Sequence, residues 1–174
     1  MPQYSFYEEE NVLFGENGAL EALLAAKKAG KIRHIGLTCH QLDRAGRLLR
    51  QYDVFETVQV PYNFTENKAE TEILPLTKAK DIGVIVMKPL GGGALPSEYA
   101  LRYFIDKPVN VIIPGMDSIQ QVEENISYVQ SSPLNENEKA ELENIKRDLG
   151  KNYCRRCDYC RPCPAGIDIS GMFI

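Results

Sequence analysis

A chain of 174 residues, 44% apolar and 25% charged, holds enough apolar material for a buried core, which argues against disorder and fits one soluble domain with an appendage. Its 20 basic and 24 acidic residues give a formal net charge of -4 without any long block of like charge. No nucleic-acid or membrane-surface footprint is therefore expected, and the partners are read as small molecules or proteins. No apolar run approaches the ~20 residues of a membrane span, and the acidic start from Met1 to Glu10 lacks the basic and apolar regions of a leader. The expectation is a cytoplasmic protein.

Along the chain, a helical pattern over 18–29 places Leu20, Leu23 and Leu24 on one face before Gly30 stops it. A β-branched run over 31–38 follows, then an amphipathic stretch over 41–51, a strand over 57–62, a helix over 68–81, a strand over 83–88, a helix over 97–105, a strand over 109–113 and a helix over 118–130. Strand and helix alternating at this spacing predict parallel strands joined by crossover helices. The strands lack polar alternation, as expected where both faces of a sheet are covered. A last helix over 135–149 opens with Asn135 and Glu138 in capping-box spacing and closes at Gly150. It divides the chain into an α/β body, 1–150, and a cysteine-rich tail, 151–174. Four strand-helix units are half of the eight that close a parallel barrel, and an open four-stranded sheet would leave two edges unpaired. A half barrel completed by further chain, or by a second copy, is expected.

Cys154, Cys157, Cys160 and Cys163 stand three residues apart, with Pro164 after the last. Thiolates at every third position suit wrapping around a compact cluster, whereas tetrahedral zinc usually draws on two separated cysteine pairs. Iron-sulfur binding is the leading reading, with zinc or free thiols as alternatives. Arg155, Arg156 and Arg161 between the ligands would offset the thiolate charge. The spacing departs from the bacterial ferredoxin run, which has three residues before its last cysteine, so Cys163 is the least secure ligand. Cys39, at a strand end far from the others, reads as a buried core thiol.

Gly-Lys-Ile-Arg-His-Ile-Gly-Leu-Thr at 30–38, Val-Gln-Val-Pro-Tyr-Asn at 58–63, Val-Met-Lys-Pro-Leu-Gly-Gly-Gly at 86–93, Ile-Pro-Gly-Met at 113–116 and Gln-Val-Glu-Glu-Asn at 121–125 resemble, in order and spacing, the second half of the aldo/keto reductase family over 17–145. The tail resembles the ferredoxin-type extension of that family's iron-sulfur branch. The resemblance implies the C-terminal half of a (β/α) TIM-type barrel that binds NAD(P)H at the C-terminal ends of its strands, the usual position of active sites in such barrels. It assigns Thr38 and Gln59 to the carboxamide and Met87 to the place beneath the nicotinamide ring, where the family often has tyrosine. The loop over 89–93 goes to the phosphates, with Pro89, Leu90 and Gly91 as its cofactor residues. Gly115, Met116, Gln121, Glu124 and Asn125 fall at the adenosine end, with Gln121 where many members carry an arginine for the 2'-phosphate.

The family's catalytic aspartate, tyrosine, lysine and histidine belong to the first half of the barrel and have no counterpart here. Tyr4 and Tyr7 read as peripheral, His34 as a residue that packs or caps within its strand, and His40 as a residue of a site-facing loop for which ligand contact is the less favoured reading. The tail ends before a second cysteine group, so a single 4Fe-4S cluster is expected, held by Cys154, Cys157, Cys160 and Cys163. The resulting expectation is an oxidoreductase that moves hydride between NAD(P)H and a small carbonyl or alcohol, with an electron-transfer partner for the cluster. This chain would supply the cofactor half and by itself be weak or inert. The alternative is a noncatalytic electron carrier or interaction module built on a dimerised half barrel.

Overall fold

The computed structural model describes residues 10, 12–149 and 162–173. Helix α1 (Ala19–Lys28) leads into β1 (Gly36–Thr38), α2 (Leu42–Gln51), β2 (Thr57–Pro61), α3 (Ala69–Glu72), α4 (Leu74–Lys80) and β3 (Gly83–Met87). After these come α5 (Ser97–Arg102), β4 (Val111–Ile113), α6 (Ile119–Val129) and α7 (Glu136–Leu149). The four strands form one parallel sheet in chain order, with Thr38 opposite Gln59, Pro61 opposite Met87, and Met87 opposite Ile113. All four C-terminal strand ends therefore lie along one rim.

The outward face of the sheet is closed by its own helices. Val58, Val60, Val84 and Val86 pack beneath Ala45, Leu49, Ile73 and Phe104, all nearly inaccessible to water. Each fully buried aliphatic side chain of this kind contributes about 1.5–3 kcal/mol. Gly36 allows β1 to approach β2 closely, since a Cβ there would sit 2.2 Å from Thr57 Oγ1. A second cluster of Phe64, Leu95, Ala100, Leu134 and Leu142 fixes α7 against α5. The capping box forms: Asn135 Oδ1 accepts from the Glu138 amide at 3.0 Å, and Glu138 Oε2 accepts from the Asn135 amide at 2.9 Å. Arg102 then grips Glu138 with two parallel bonds of 2.7 and 2.9 Å, the fork geometry that ties α5 to α7.

Several sequence expectations are adjusted. The 31–38 run pairs only over Gly36–Thr38, and 109–113 only over Val111–Ile113; both belong to edge strands with one neighbour each. The helix expected over 68–81 is two, because Pro75 lacks the amide that would continue the ladder and its ring crowds the preceding turn; the break falls at Ile73. Burial does alternate along β2, with Val58 and Val60 buried and Thr57, Gln59 and Pro61 half-buried. The inner face is thus incompletely covered, and the expectation of two covered faces holds for one. The apolar stripe of α1 is open too: Leu23 and Leu24 are 40% and 41% exposed. On the other edge, Ile119, Val122, Ile126 and Val129 of α6 also face solvent.

Candidate functional site at the strand ends

Two cavities open along the rim formed by the strand C-termini. The larger, about 690 Å³, is lined by Leu90, Gly93, Leu95, Ser97, Gly115, Met116, Asp117, Gln121, Glu124 and Asn125. Six of these were singled out in the sequence: Leu90, Gly115, Met116, Gln121, Glu124 and Asn125. They come from two segments that the β3-β4 pairing brings together, the turn after β3 and the stretch running from the loop after β4 into α6. Ser118 caps α6 by accepting from the Gln121 amide at 3.2 Å, and Gln121 Oε1 accepts from the Asp117 amide at 2.9 Å. The Gln121 side chain is therefore committed to shaping the Asp117 turn. Asn125 is buried, and Glu124 is held by Gln120 Nε2 at 2.7 Å.

The loop over 89–93 is a compact turn. The Gly91 amide donates to the Lys88 carbonyl at 3.1 Å, and Leu90 has φ -94 and ψ 11, the third-position geometry of a type I turn with Pro89 at its second. Gly91, Gly92 and Gly93 have φ of 56, 73 and 88. Three successive left-handed residues are cheap only for glycine, and without side chains they leave the backbone open to close approach. A Cβ added at Gly93 or Gly115 would meet no atom within 4 Å, so the space above both is open.

Thr38, Gln59, Met87, Pro89 and Gly91 do not line this cavity. Thr38 is exposed at the end of β1 and pairs in register with Gln59. Gln59 turns its amide toward Met87 Sδ at 3.9 Å, a weak contact that aligns both side chains on the rim. The residues present fit a dinucleotide in kind: amide and hydroxyl groups at the strand ends, an apolar thioether beside them, a glycine turn, and a pocket with polar walls beyond.

The smaller cavity, about 390 Å³, is lined by His40, Leu42, Pro61, Thr65, Glu66, Asn67 and Lys68. His40 thus faces the rim. Burial and the nearby Lys88 ammonium hold its pKa below the usual value, so it is neutral at pH 7. His34 does not pack within a strand. It is exposed, and its Nδ1 lies 2.5 Å from Glu56 Oε2, away from the rim. Hydrogen bonds from Lys27 and His34 bring the Glu56 carboxyl down to about 2. Cys39 is half-buried, with its thiol donating to the Gln41 carbonyl at 3.2 Å.

Sequence reading missed three features. Asn63 is fully buried and makes four side-chain hydrogen bonds. Lys88 has φ 55, unusual for a residue with a side chain and unusual again before proline. The third is a tyrosine–lysine–carboxylate cluster: Glu70 Oε1 accepts from Tyr62 at 2.5 Å, from Lys107 at 2.7 Å and from Tyr103. Although it contains a tyrosine with a lysine partner, burial and Glu70 push both hydroxyl pKa values up, the wrong direction for a proton donor near neutrality. Burial would raise the Glu70 carboxyl as well, but its three donors outweigh this and bring it to about 2. The cluster secures α3 to the end of α5 and is structural.

Tyr4, Tyr7, Cys154, Cys157 and Cys160 lie outside the described residues, so the metal ligands expected there have no described geometry. Cys163 is described and half-buried. Among the described residues no three His, Cys, Asp or Glu side chains converge as a metal site, and no helix is long and apolar enough to cross a membrane.

Residues 16–100 match the sequence model of the aldo/keto reductase family. No curated protein matches the chain. Among solved structures it is similar to an aldo-keto reductase from Bacillus halodurans in its holo form, at 21% identity and TM-score 0.60, covering 78% of this chain and 56% of that one. It is also similar to an aldo-keto reductase from Klebsiella pneumoniae in complex with NADPH, at 20% identity and TM-score 0.58, covering 73% of this chain and 52% of that one. The chain spans just over half the length of these two structures. At such identity the likeness establishes the fold alone: an α/β fold whose four-stranded parallel sheet is consistent with part of an aldo/keto reductase barrel.

Proposed function

We propose that this chain is the NAD(P)H-binding part, the C-terminal half, of an aldo/keto reductase-type oxidoreductase acting on a small carbonyl or alcohol. The observation that carries the reading is the 690 Å³ cavity between the glycine turn and the start of α6, on the same rim of the sheet as Thr38, Gln59 and Met87. A bound nicotinamide would supply hydride. Gln59 and Thr38 would orient its carboxamide, Met87 would pack against the ring, and Pro89, Leu90 and Gly91 would close over the phosphates. Gly115, Met116, Gln121, Glu124 and Asn125 would hold the adenosine end. Fixing the donor in one orientation is the contribution expected of this half. Without the family's proton donor, the isolated chain is weak or inert as a catalyst.

Among the described residues, the cavity walls carry Asp117 and Glu124 and no lysine or arginine. Carboxylates accept hydrogen bonds from a ribose diol and repel a 2'-phosphate, so NADH should bind at least as tightly as NADPH. In the tail, Cys154, Cys157, Cys160 and Cys163 are the proposed ligands of a 4Fe-4S cluster serving an electron-transfer partner. Anaerobic purification giving iron and sulfide near four each per chain, by elemental analysis, supports the cluster; zinc alone would replace it with a structural metal.

The test of the cofactor site is titration of the purified chain with NADH and NADPH alongside the variant Gly115→Leu. A Cβ at Gly115 meets no described atom within 4 Å, so leucine there should be tolerated and should reach into the cavity that Gly115 lines. Saturable binding weakened about tenfold, or ~1.4 kcal/mol, is expected. Binding unaffected by the substitution would move the cofactor elsewhere. A second reading, an electron-carrier or interaction module on a self-associated half barrel, is favoured by the open apolar stripes at both sheet edges, Leu23 and Leu24 on α1 and Ile119, Val122 and Ile126 on α6. A dimer by sedimentation, with no dinucleotide bound, would support it.

A further inference from the structure

Asn63 follows β2, and its side chain reaches both loops of the rim. Its Oδ1 accepts from the Thr65 amide at 2.9 Å, the Thr65 hydroxyl at 2.8 Å and the Glu66 amide at 2.9 Å. Its own amide donates to the Glu66 carbonyl at 3.2 Å. These bonds wind the loop that lines the smaller cavity with Thr65 and Glu66. The Nδ2 group points the other way and donates to the Lys88 carbonyl at 3.1 Å.

The Lys88 carbonyl is also the acceptor that closes the 88–91 turn, through the Gly91 amide. It belongs to a residue at φ 55, where a side chain strains the backbone and persists only if its surroundings impose it. Two neighbouring bonds impose it: the Met87 carbonyl is held by the Tyr62 amide at 3.1 Å, and the next carbonyl, that of Lys88, is held by Asn63. Pro89 then fixes the onward direction. The side chain is fully buried, so water does not compete for the bond.

We infer that Asn63 is a positioning residue: its carboxamide holds Lys88 in the left-handed conformation, sets the 88–93 turn, and ties that turn to the loop around the smaller cavity so that the two move as one unit. The consequence for cofactor affinity rests on the NAD(P)H reading; the mechanical part does not. Among the described residues, the Asn63 side chain bonds to both the loop after β2 and the loop after β3. It also explains how a turn rich in glycine keeps one shape.

Asn63→Asp separates the two halves of this role. The carboxylate keeps the three acceptor bonds to Thr65 and Glu66 but has no hydrogen for the Lys88 carbonyl. Hydrogen exchange should then show the Gly91, Gly93 and Leu95 amides opening about tenfold faster, while Val58, Val60, Val84 and Val86 in the strands are unchanged. NADH affinity should fall about tenfold. Asn63→Ser, whose hydroxyl can serve the local turn but is too short to reach Lys88, should give the same pattern and decides the matter if Asn63→Asp does not fold. Adding Lys88→Gly, which removes the strain, should recover part of the lost protection. Thr65→Val, which leaves Nδ2 untouched, should leave the 88–93 amides as they were.

Unchanged exchange over 88–93 in both Asn63 variants would overturn the inference, as would equal loss of protection in the central strands. If the native chain binds neither NADH nor NADPH, the cofactor reading fails on its own, and the exchange pattern still decides the role of Asn63.

Discussion

The two faces of the sheet differ in how complete they are. Outward, Val58, Val60, Val84 and Val86 are covered by helices of this chain; inward, Thr57, Gln59, Pro61 and Ile85 are half-buried, and at the edges Val111 and Ile113 are 47% and 43% exposed. A (β/α) unit closes its outer layer locally, since each crossover helix lies over the strands it joins, but its inner layer is built from strands across the barrel. Among the described residues, the outer layer is therefore closed by the chain's own helices while the inner face and the edges are only partly covered.

Breaking each face should give unequal effects. Leu49→Ala, in the fully buried outer core, should cost about 2–5 kcal/mol in urea unfolding, whereas Ile113→Ala at the open edge should cost less than about 1 kcal/mol. Equal costs would show that the edge is covered in solution. Glu70→Gln weakens the partly buried cluster joining α3 and α5 and should cost about 1–2 kcal/mol. The same carboxyl sets an acid limit: its folded pKa, about 2, lies below the ordinary value of 4.5, so its contribution is present above about 4.5 and is lost as pH falls toward 2. Unfolding midpoints measured between pH 6 and 2.5 should drop in native protein and drop less in Glu70→Gln. Removing the α7 cap with Asn135→Ala should cost about 1 kcal/mol, readable as a shift in urea midpoint. At the mouth, Glu124→Gln should tighten NADPH relative to NADH by a few-fold in competition titrations, about 0.5–1 kcal/mol.

The outer layer was legible because its signals are periodic. Apolar runs, the Asn135–Glu138 box and Gly30 each mark an element through local rules, and the elements fall within a few residues of where those rules place them. Pro75 marked the break at Ile73, a signal the helical periodicity over 68–81 overrode. The rim was legible in part: Leu90 and Asn125 are 35 positions apart in sequence, and their meeting at one cavity depends on β3 pairing with β4. Asn63 carried no signal of its own, because one asparagine after a strand is ordinary turn chemistry, and its reach to Lys88 is a tertiary fact. Asp117 and Ser97 joined the cavity for the same reason. The cysteine spacing stands where it did in the sequence, since Cys154, Cys157 and Cys160 fall outside the described residues.

The proposed seat of a dinucleotide lies between the glycine turn and the start of α6. Amide NMR shifts of the isotope-labelled chain during titration with NADH test it most directly. Saturable shifts concentrated at 88–93 and 115–125 are expected, with smaller ones at Thr38 and Gln59. No shifts at millimolar NADH, or shifts confined to the cavity beside His40 or to the outer helices, would contradict it.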